Sequence, residues 1–220
     1  MFSELNSWMI QSLWQATLDT ITMVFLSGVI SIVAGILLGV ALYVTHPDRF
    51  LAKPILHRVL GVIVNIGRSI PFIILMVAIV PFTRLIMGTS IGLGAAIVPL
   101  TVAAIPFVAR LVEGALNEVS PGLIETAQSM GATPMQIIGK VLLPEAKSGI
   151  ITSVTITLIT LISYSAMAGA VGAGGLGAIG INYGYNRYDT TIMVVTVVIT
   201  VVLVQIIQML GDYLVKKTRH

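Results

Sequence analysis

The apolar positions of this 220-residue chain gather into five long runs separated by polar stretches. A helix needs roughly 20 predominantly apolar residues to cross the hydrocarbon core of a bilayer. The pattern therefore predicts five transmembrane helices and leaves no room for a sizeable soluble domain. The first run extends from about Thr20 to Val44 without an ionisable residue and ends where Thr45, His46, Pro47 and Asp48 mark a turn. The second, from about Leu60 to Phe82, carries Arg68, Pro71 and Pro81, and the third, from Ile91 to Val108, carries Pro99 and Pro106. Both are expected to kink where proline removes a donor from the helical ladder. The fourth runs from Gly149 to about Val171 and the fifth from Thr190 to Leu210. An odd number of spans places the termini on opposite sides.

Basic residues orient such a chain, because Lys and Arg are retained on the cytoplasmic side. Arg49, Lys53 and Arg58 lie between spans one and two, Arg110, Lys140 and Lys147 between three and four, and Lys216, Lys217 and Arg219 in the tail. Only Arg84 and Arg187 fall on the opposite side, so the expectation is N-terminus outside and C-terminus inside. Before span one, Leu5, Trp8, Met9, Ile10, Leu13 and Trp14 suggest an amphipathic turn or two at the outer interface. Within span one, Ser27, Ser31, Gly35 and Gly39 place a small residue at every fourth position, a face that another helix backbone can approach closely.

Composition agrees with an all-α integral membrane protein: 56% of residues are hydrophobic and 10% charged, against about 25% charged in soluble domains. Twelve basic against nine acidic residues give a net charge of +3. Their placement between and beyond the apolar runs reads as topology rather than as a groove for nucleic acid. The absence of cysteine excludes disulfides and thiol catalysis. The stretch before the first run contains no Lys or Arg, so it lacks the basic region of a cleavable signal peptide and is expected to be retained.

Apart from Arg68, no ionisable residue lies at depth in the runs, which disfavours proton relays and ion-coupled carriers. Arg68 is placed to snorkel from the helix end or to pair with Glu113 or a partner's carboxylate. His46, His57 and His220 lie in loops or the tail, so no base faces a buried nucleophile. No catalytic residue, metal site or cofactor site is expected on this chain. Gly172, Gly174 and Gly177 spell the G-x-G-x-x-G of dinucleotide sites, but they follow a membrane helix instead of a strand and read as a tight, close-packed turn. No phosphate-binding G-x-x-x-x-G-K-[ST] occurs. In span four, Ser153, Thr157, Thr160, Tyr164 and Met167 recur at helical spacing. Either that face lines a passage or its hydroxyls bond back to their own helix.

The longest stretch unlike a membrane helix runs from about Arg110 to Gly149. Ser120, Pro121 and Gly122 start a helix whose apolar face is Leu123, Ile124, Ala127 and Met130, beside Glu125 and Gln128, and Gly131 stops it. Thr133 as N-cap with Pro134 at the first position begins a short helix through Met135, Gln136, Ile137 and Ile138, and the helical path beyond it is expected to end at Pro144. Such an apolar projection suits a groove on a partner protein, or else rests on lipid.

Glu125, Thr126, Ala127, Gly131 and the Val141-Leu142-Leu143-Pro144 run resemble, in identity and spacing, the E-A-A-x3-G-x9-I-x-L-P motif of the membrane subunits of ABC importers. Thr126 replaces the first alanine and Val141 the isoleucine. RSIPFIILM from Arg68, GTSIGLGAAIVPLT from Gly88, MGATPMQI from Met130 and YSAMAGAVGAGGLG from Tyr164 extend the likeness over almost the whole chain, to the permeases of methionine importers. The resemblance implies a five-helix type I importer fold occupying residues 1–220 as one transmembrane domain, in the bacterial inner membrane. It also implies a homodimer on two ATP-binding subunits, which hold the ATP and magnesium, fed by a periplasmic methionine-binding lipoprotein. Glu125, Thr126, Ala127, Gly131, Ala132, Thr133, Pro134, Met135 and Pro144, within a segment of about residues 120–146, would couple to the ATPase. Glu125 would stabilise its helix start or pair within the permease. Ser163, Tyr164 and Met167 would line the passage or gate. Import of D- and L-methionine is then the expected function; the rivals are a self-sufficient carrier or channel and a non-transporting assembly subunit.

Overall fold

A computed structural model describes residues 7–218; the expectations for Leu5, Arg219 and His220 lie outside them. Among the described residues every regular element is helical, as a chain in hydrocarbon requires if its backbone groups are to be satisfied within single segments. Four helices are long and apolar enough to cross a membrane: α1 (Ser7–Thr45), α5 (Leu93–Asn117), α9 (Lys147–Gly169) and α11 (Thr190–Thr218). A fifth crossing is made if α2 (Pro54–Ser69) and α3 (Phe72–Ala78) form one bent span. Shorter helices are α4 (Val80–Met87), α6 (Pro121–Ser129), α7 (Pro134–Ile137), α8 (Leu143–Glu145) and α10 (Gly175–Ile179).

Three expectations change. The aromatic segment before span one is not a separate interfacial turn: α1 begins at Ser7 and continues unbroken for 39 residues, because no Gly or Pro interrupts it before Gly28. Its length, about 58 Å at 1.5 Å per residue, is nearly twice the roughly 30 Å of hydrocarbon. The second run is not one kinked helix but three, because its prolines sit at helix starts: Pro71 precedes α3 with an extended ψ of 135°, and Pro81 occupies the first turn of α4. In α5, by contrast, Pro99 and Pro106 lie inside one uninterrupted helix, which runs past the expected end at Val108 to Asn117 and takes Arg110 into it.

The chain forms two compact units. One comprises residues up to 30, 70–104 and 158–208. Its core is Met23, Val24, Phe72, Leu75, Met76, Leu100, Leu161 and Ile162 with small residues between them. The Thr20 hydroxyl accepts the Leu176 amide at 2.9 Å, and the Gly92 amide donates to the Gly172 carbonyl at 3.0 Å. The glycine-rich turn is tightly packed, as its composition suggests: Gly172, Gly174 and Gly175 have φ of +92°, +86° and +75°, and a side chain at Gly177 would collide with the Ala166 backbone.

The other unit comprises residues 31–69, 105–157 and 209 onward, built on Tyr43, Val44, Val108, Val112, Leu116, Ile124, Ile137 and Leu142. The small-residue face of α1 works here as expected. A Cβ on Gly35 would overlap Val108, and one on Gly39 would lie 2.7 Å from the Ala109 carbonyl oxygen and 2.9 Å from Val112 Cβ. The loop after α1 is fixed by Arg49, whose guanidinium lies over Tyr43 at 4.3 Å and donates to Asn117 Oδ1 at 3.0 Å. Glu113 is paired with Arg110 at 2.6 Å, one turn away on α5, and not with Arg68, which is exposed near the end of α2.

These contacts predict opposite signs for one substitution. Gly39→Ala should lower the melting temperature of the detergent-solubilised protein, since overpacking costs about 1–3 kcal/mol. Gly61→Ala, with nothing within 4 Å of its Cβ, should raise it through the roughly 1 kcal/mol gained in helix propensity.

Candidate functional site

The segment after α5 is organised by two adjoining caps. Pro121 occupies the first turn of α6, where its missing amide costs nothing. At the other end Gly131 takes φ +78°; its amide donates to Gln128 at 2.9 Å and that of Ala132 to Ala127 at 3.0 Å. This pair of bonds is a Schellman ending, and the left-handed residue at its centre is the position glycine fills at least cost. Two residues on, Thr133 N-caps α7 in a reciprocal capping box: the Gln136 amide donates to Thr133 Oγ1 at 3.4 Å and the Thr133 amide to Gln136 Oε1 at 2.8 Å. Pro134 fills the first helical position. The chain therefore passes from α6 to α7 over Met130 to Thr133 with its helix-end donors and acceptors largely satisfied locally.

Ile124 and Ile137 point back into the core of their unit and are 6% and 2% exposed, whereas Met130 and Met135 stand out at 82% and 76%. Of the sequence-derived residues, Glu125, Thr126, Gly131, Thr133, Pro134 and Met135 are exposed and Ala127 and Ala132 half-buried. Glu125 departs from expectation: it lies in the second turn of α6, not the first, and makes no ion pair among the described residues. Its role as a helix-start charge is withdrawn, and within this chain the described residues offer it no ion pair. Thr126 hydroxyl donates to the Gly122 carbonyl at 2.7 Å.

Pro144 does not end the helical path. After α7 the chain widens into a π-helical stretch, Ile138–Leu142, in which the Leu143 amide reaches back to the Ile138 carbonyl. Pro144 then sits in the first turn of α8, and α9 comes after Ala146. A proline lacks a donor and its ring crowds the carbonyl four residues back; the wider turn provides an alternative path for those groups. Met130 and Gln136, expected only as members of the two short helices, prove to be the most exposed apolar residue of the projection and half of its capping box. The T-x-x-Q spacing of Thr133 and Gln136 was a readable signal for the second.

On α9 the expected passage residues divide. Ser163 and Met167, four apart, share an exposed face, Met167 being 46% exposed. Tyr164 turns away and stacks on Phe72, ring centroids 4.5 Å apart and planes 3° from parallel. The earlier part of the polar row is closed on itself: Ser153 hydroxyl donates to the Gly149 carbonyl at 2.8 Å and Thr157 hydroxyl to the Ser153 carbonyl at 2.7 Å. For these two residues the back-bonded alternative holds.

Residues 35–220 match the family described as "Binding-protein-dependent transport system inner membrane component". The chain belongs to this family and lies in the bacterial inner membrane as a multi-pass protein. It is 59% identical over 205 residues to the probable D-methionine transport system permease protein MetI of Vibrio cholerae serotype O1, covering 93% of this chain and 91% of the relative. It is 56% identical over 157 residues to the D-methionine transport system permease protein MetI of Escherichia coli K12, covering 71% and 70%. A chain from inward-facing structures of the MetNI methionine ABC transporter superposes with a TM-score of 0.96 at 55% identity, over 98% of this chain and all of that one. The crystal structure of an amino acid ABC transporter, 17% identical with a TM-score of 0.78 over 94% of both chains, shares the fold.

The caps make a local prediction. Thr133→Ala should cost about 1 kcal/mol at the α7 start, and Gly131→Val should cost more by forcing a β-branched residue left-handed. Both should speed hydrogen exchange at the amides of Gln136 and Ile137 and leave exchange in the centre of α1 unchanged.

Proposed function

We propose that this chain is the membrane-spanning subunit of an ATP-driven methionine importer, accepting D- and L-methionine, with residues 1–220 forming one transmembrane domain. Two copies form the pathway on two ATP-binding subunits, which carry the ATP and magnesium and hydrolyse the nucleotide. A periplasmic methionine-binding lipoprotein delivers the substrate. The N-terminus lies outside and the C-terminus inside, making five crossings with α2 and α3 as one bent span. The distribution of Lys and Arg supports this orientation, and the identity to methionine permeases supports the substrate.

The observation that carries the mechanism is the exposed tip formed by Met130, Met135, Thr133 and Pro134 on a base anchored by Ile124 and Ile137. In the proposed orientation it faces the cytoplasm, where methionine side chains adapt to a groove on the ATP-binding subunit. Glu125, Thr126, Ala127, Gly131 and Ala132 shape that tip and Pro144 sits beyond the π turn leading to α9. Closure of the ATPases on nucleotide moves the tip as a unit, and the two permease copies alternate between inward and outward states. Ser163 and Met167, on the outward face of α9, line the passage, with Tyr164 behind them fixing the helix through Phe72.

The test is to tag the chain, purify it gently from its own membranes and assay what accompanies it. An ATP-binding subunit should co-purify, with ATPase activity. Gly131→Val should release it and abolish methionine uptake while the protein remains inserted. Wild-type uptake by that variant would overturn the coupling role. Solute flux through the purified chain alone in liposomes without ATP would instead identify a self-sufficient carrier.

A further inference from the structure

In the N-terminal third of α1, Asp19 stands half-buried in an otherwise strongly apolar helix. Among the described residues it has no ion-pair partner; its one hydrogen bond is from Gln15 Nε2 to Oδ1 at 3.0 Å. Asp189, another acid in the same unit, is spent capping the start of α11 by accepting the Ile192 amide at 3.0 Å. Arg187, a cation of that unit, lies over the Tyr183 ring at 4.5 Å. Asp19 is therefore a carboxylate with open acceptor capacity, and it lines a cleft of about 520 Å³ together with Trp8, Gln11, Gln15, Gly174 and Ala178. Gly174, at φ +86°, borders the cleft, and a Cβ there would lie in ordinary contact, 3.7 Å, with Asp19 Oδ2. Trp8 is held as a wall by edge-to-face contact with Tyr183 at 5.4 Å.

We infer that this cleft receives a lysine or arginine side chain of the extracytoplasmic solute-binding partner, with Asp19 accepting its charge and Trp8 and Ala178 its aliphatic stem. The inference rests on the importer reading and its outside N-terminus. The chemistry of the lining selects this occupant. One negative charge, neutral amides and an aromatic wall suit a monocation on an apolar stem. A free amino acid or a zwitterionic lipid headgroup would bring an anion, and the described lining residues include no cation. A charge pair at this position fixes the orientation of docking as well as adding to its strength.

The experiment uses the complete transporter, permease with its ATP-binding subunits, in nanodiscs, and the purified binding protein of the same system without its lipid anchor. Asp19→Asn, isosteric and uncharged, should weaken apparent affinity for the binding protein about tenfold, the scale of one charge-assisted contact, and flatten its dependence on salt. Gln15→Lys, at an exposed position, should act in the same direction by giving Asp19 an internal partner one turn away, without removing the carboxylate. Reversing the matching basic residue of the binding protein should restore tight docking to Asp19→Lys. Wild-type docking by both Asp19→Asn and Gln15→Lys overturns the proposal. So does unchanged docking accompanied by a raised methionine requirement, which would assign the cleft to the substrate's ammonium. Failure of the wild-type complex to bind the partner at all would overturn the importer reading, and the proposal with it.

Discussion

Every backbone polar group that this chain carries into the hydrocarbon has to find its partner within the protein, and most of the architecture derives from that constraint. The backbone is helical throughout its long runs, and the hydroxyls within them mostly turn back on their own helices. Ser27 donates to the Met23 carbonyl at 2.6 Å, Thr45 to Ala41 at 2.7 Å and Thr157 to Ser153 at 2.7 Å. Because these groups satisfy themselves, they neither glue helices together nor line a wet path. Packing must then come from shape, and the structure supplies it where glycine lets backbones approach, at Gly35 and Gly39 on α1 and at Gly211 against Thr155.

The projecting segment obeys the same accounting under opposite conditions. It is exposed, so its helix ends have access to water, yet the ends on either side of the turn are satisfied internally by the Schellman bonds and the Thr133–Gln136 box. Water is a sufficient partner for an exposed helix end; the caps give a defined direction to the two short helices they join. α7 has only four residues, too few to be stable by propensity. It persists because Thr133, Pro134 and Gln136 fix one end and Ile137 is buried at the other. In the proposed coupling role that local rigidity lets the segment move as a unit, and Gly131 is the one described residue in it with a positive φ.

How much of this was legible depended on the range of the interaction that decided each feature. Hydrophobic runs located the long helices, since burial in lipid is a property of each segment alone. The spacing from Glu125 to Pro144 located the projection, because turn residues act on their immediate neighbours. Proline was read less well, since its effect depends on register: Pro71 and Pro81 start helices, Pro99 and Pro106 are carried inside one, and Pro144 comes after a π turn. Nothing in the local sequence distinguishes these cases. Glu125 was misjudged by one helical turn, enough to remove it from the end dipole. Tyr164 and Met167 looked alike in a polar row, but Phe72, distant in sequence, draws one of them inward.

Exposure of apolar side chains occurs in two settings in this protein, separable by the backbone that carries them. Along α11 the exposed residues include Val197, Val198, Val201 and Val202, with Ile206, Met209 and Leu210 further on. They stand on one long continuous helix and form a surface that lipid tails can cover without a defined fit. At the projection the exposed apolar residues are Met130 and Met135, flexible side chains on a backbone fixed by its caps. A rigid scaffold ending in adaptable tips suits the groove proposed on the ATP-binding subunit, whereas lipid imposes no shape. The same contrast separates the valine face of α11 from Ser163 and Met167 on α9, where a hydroxyl and a thioether stand together on one exposed face. On the proposed reading that pairing suits a pathway shared between two copies, whose side chains meet both a solute and each other.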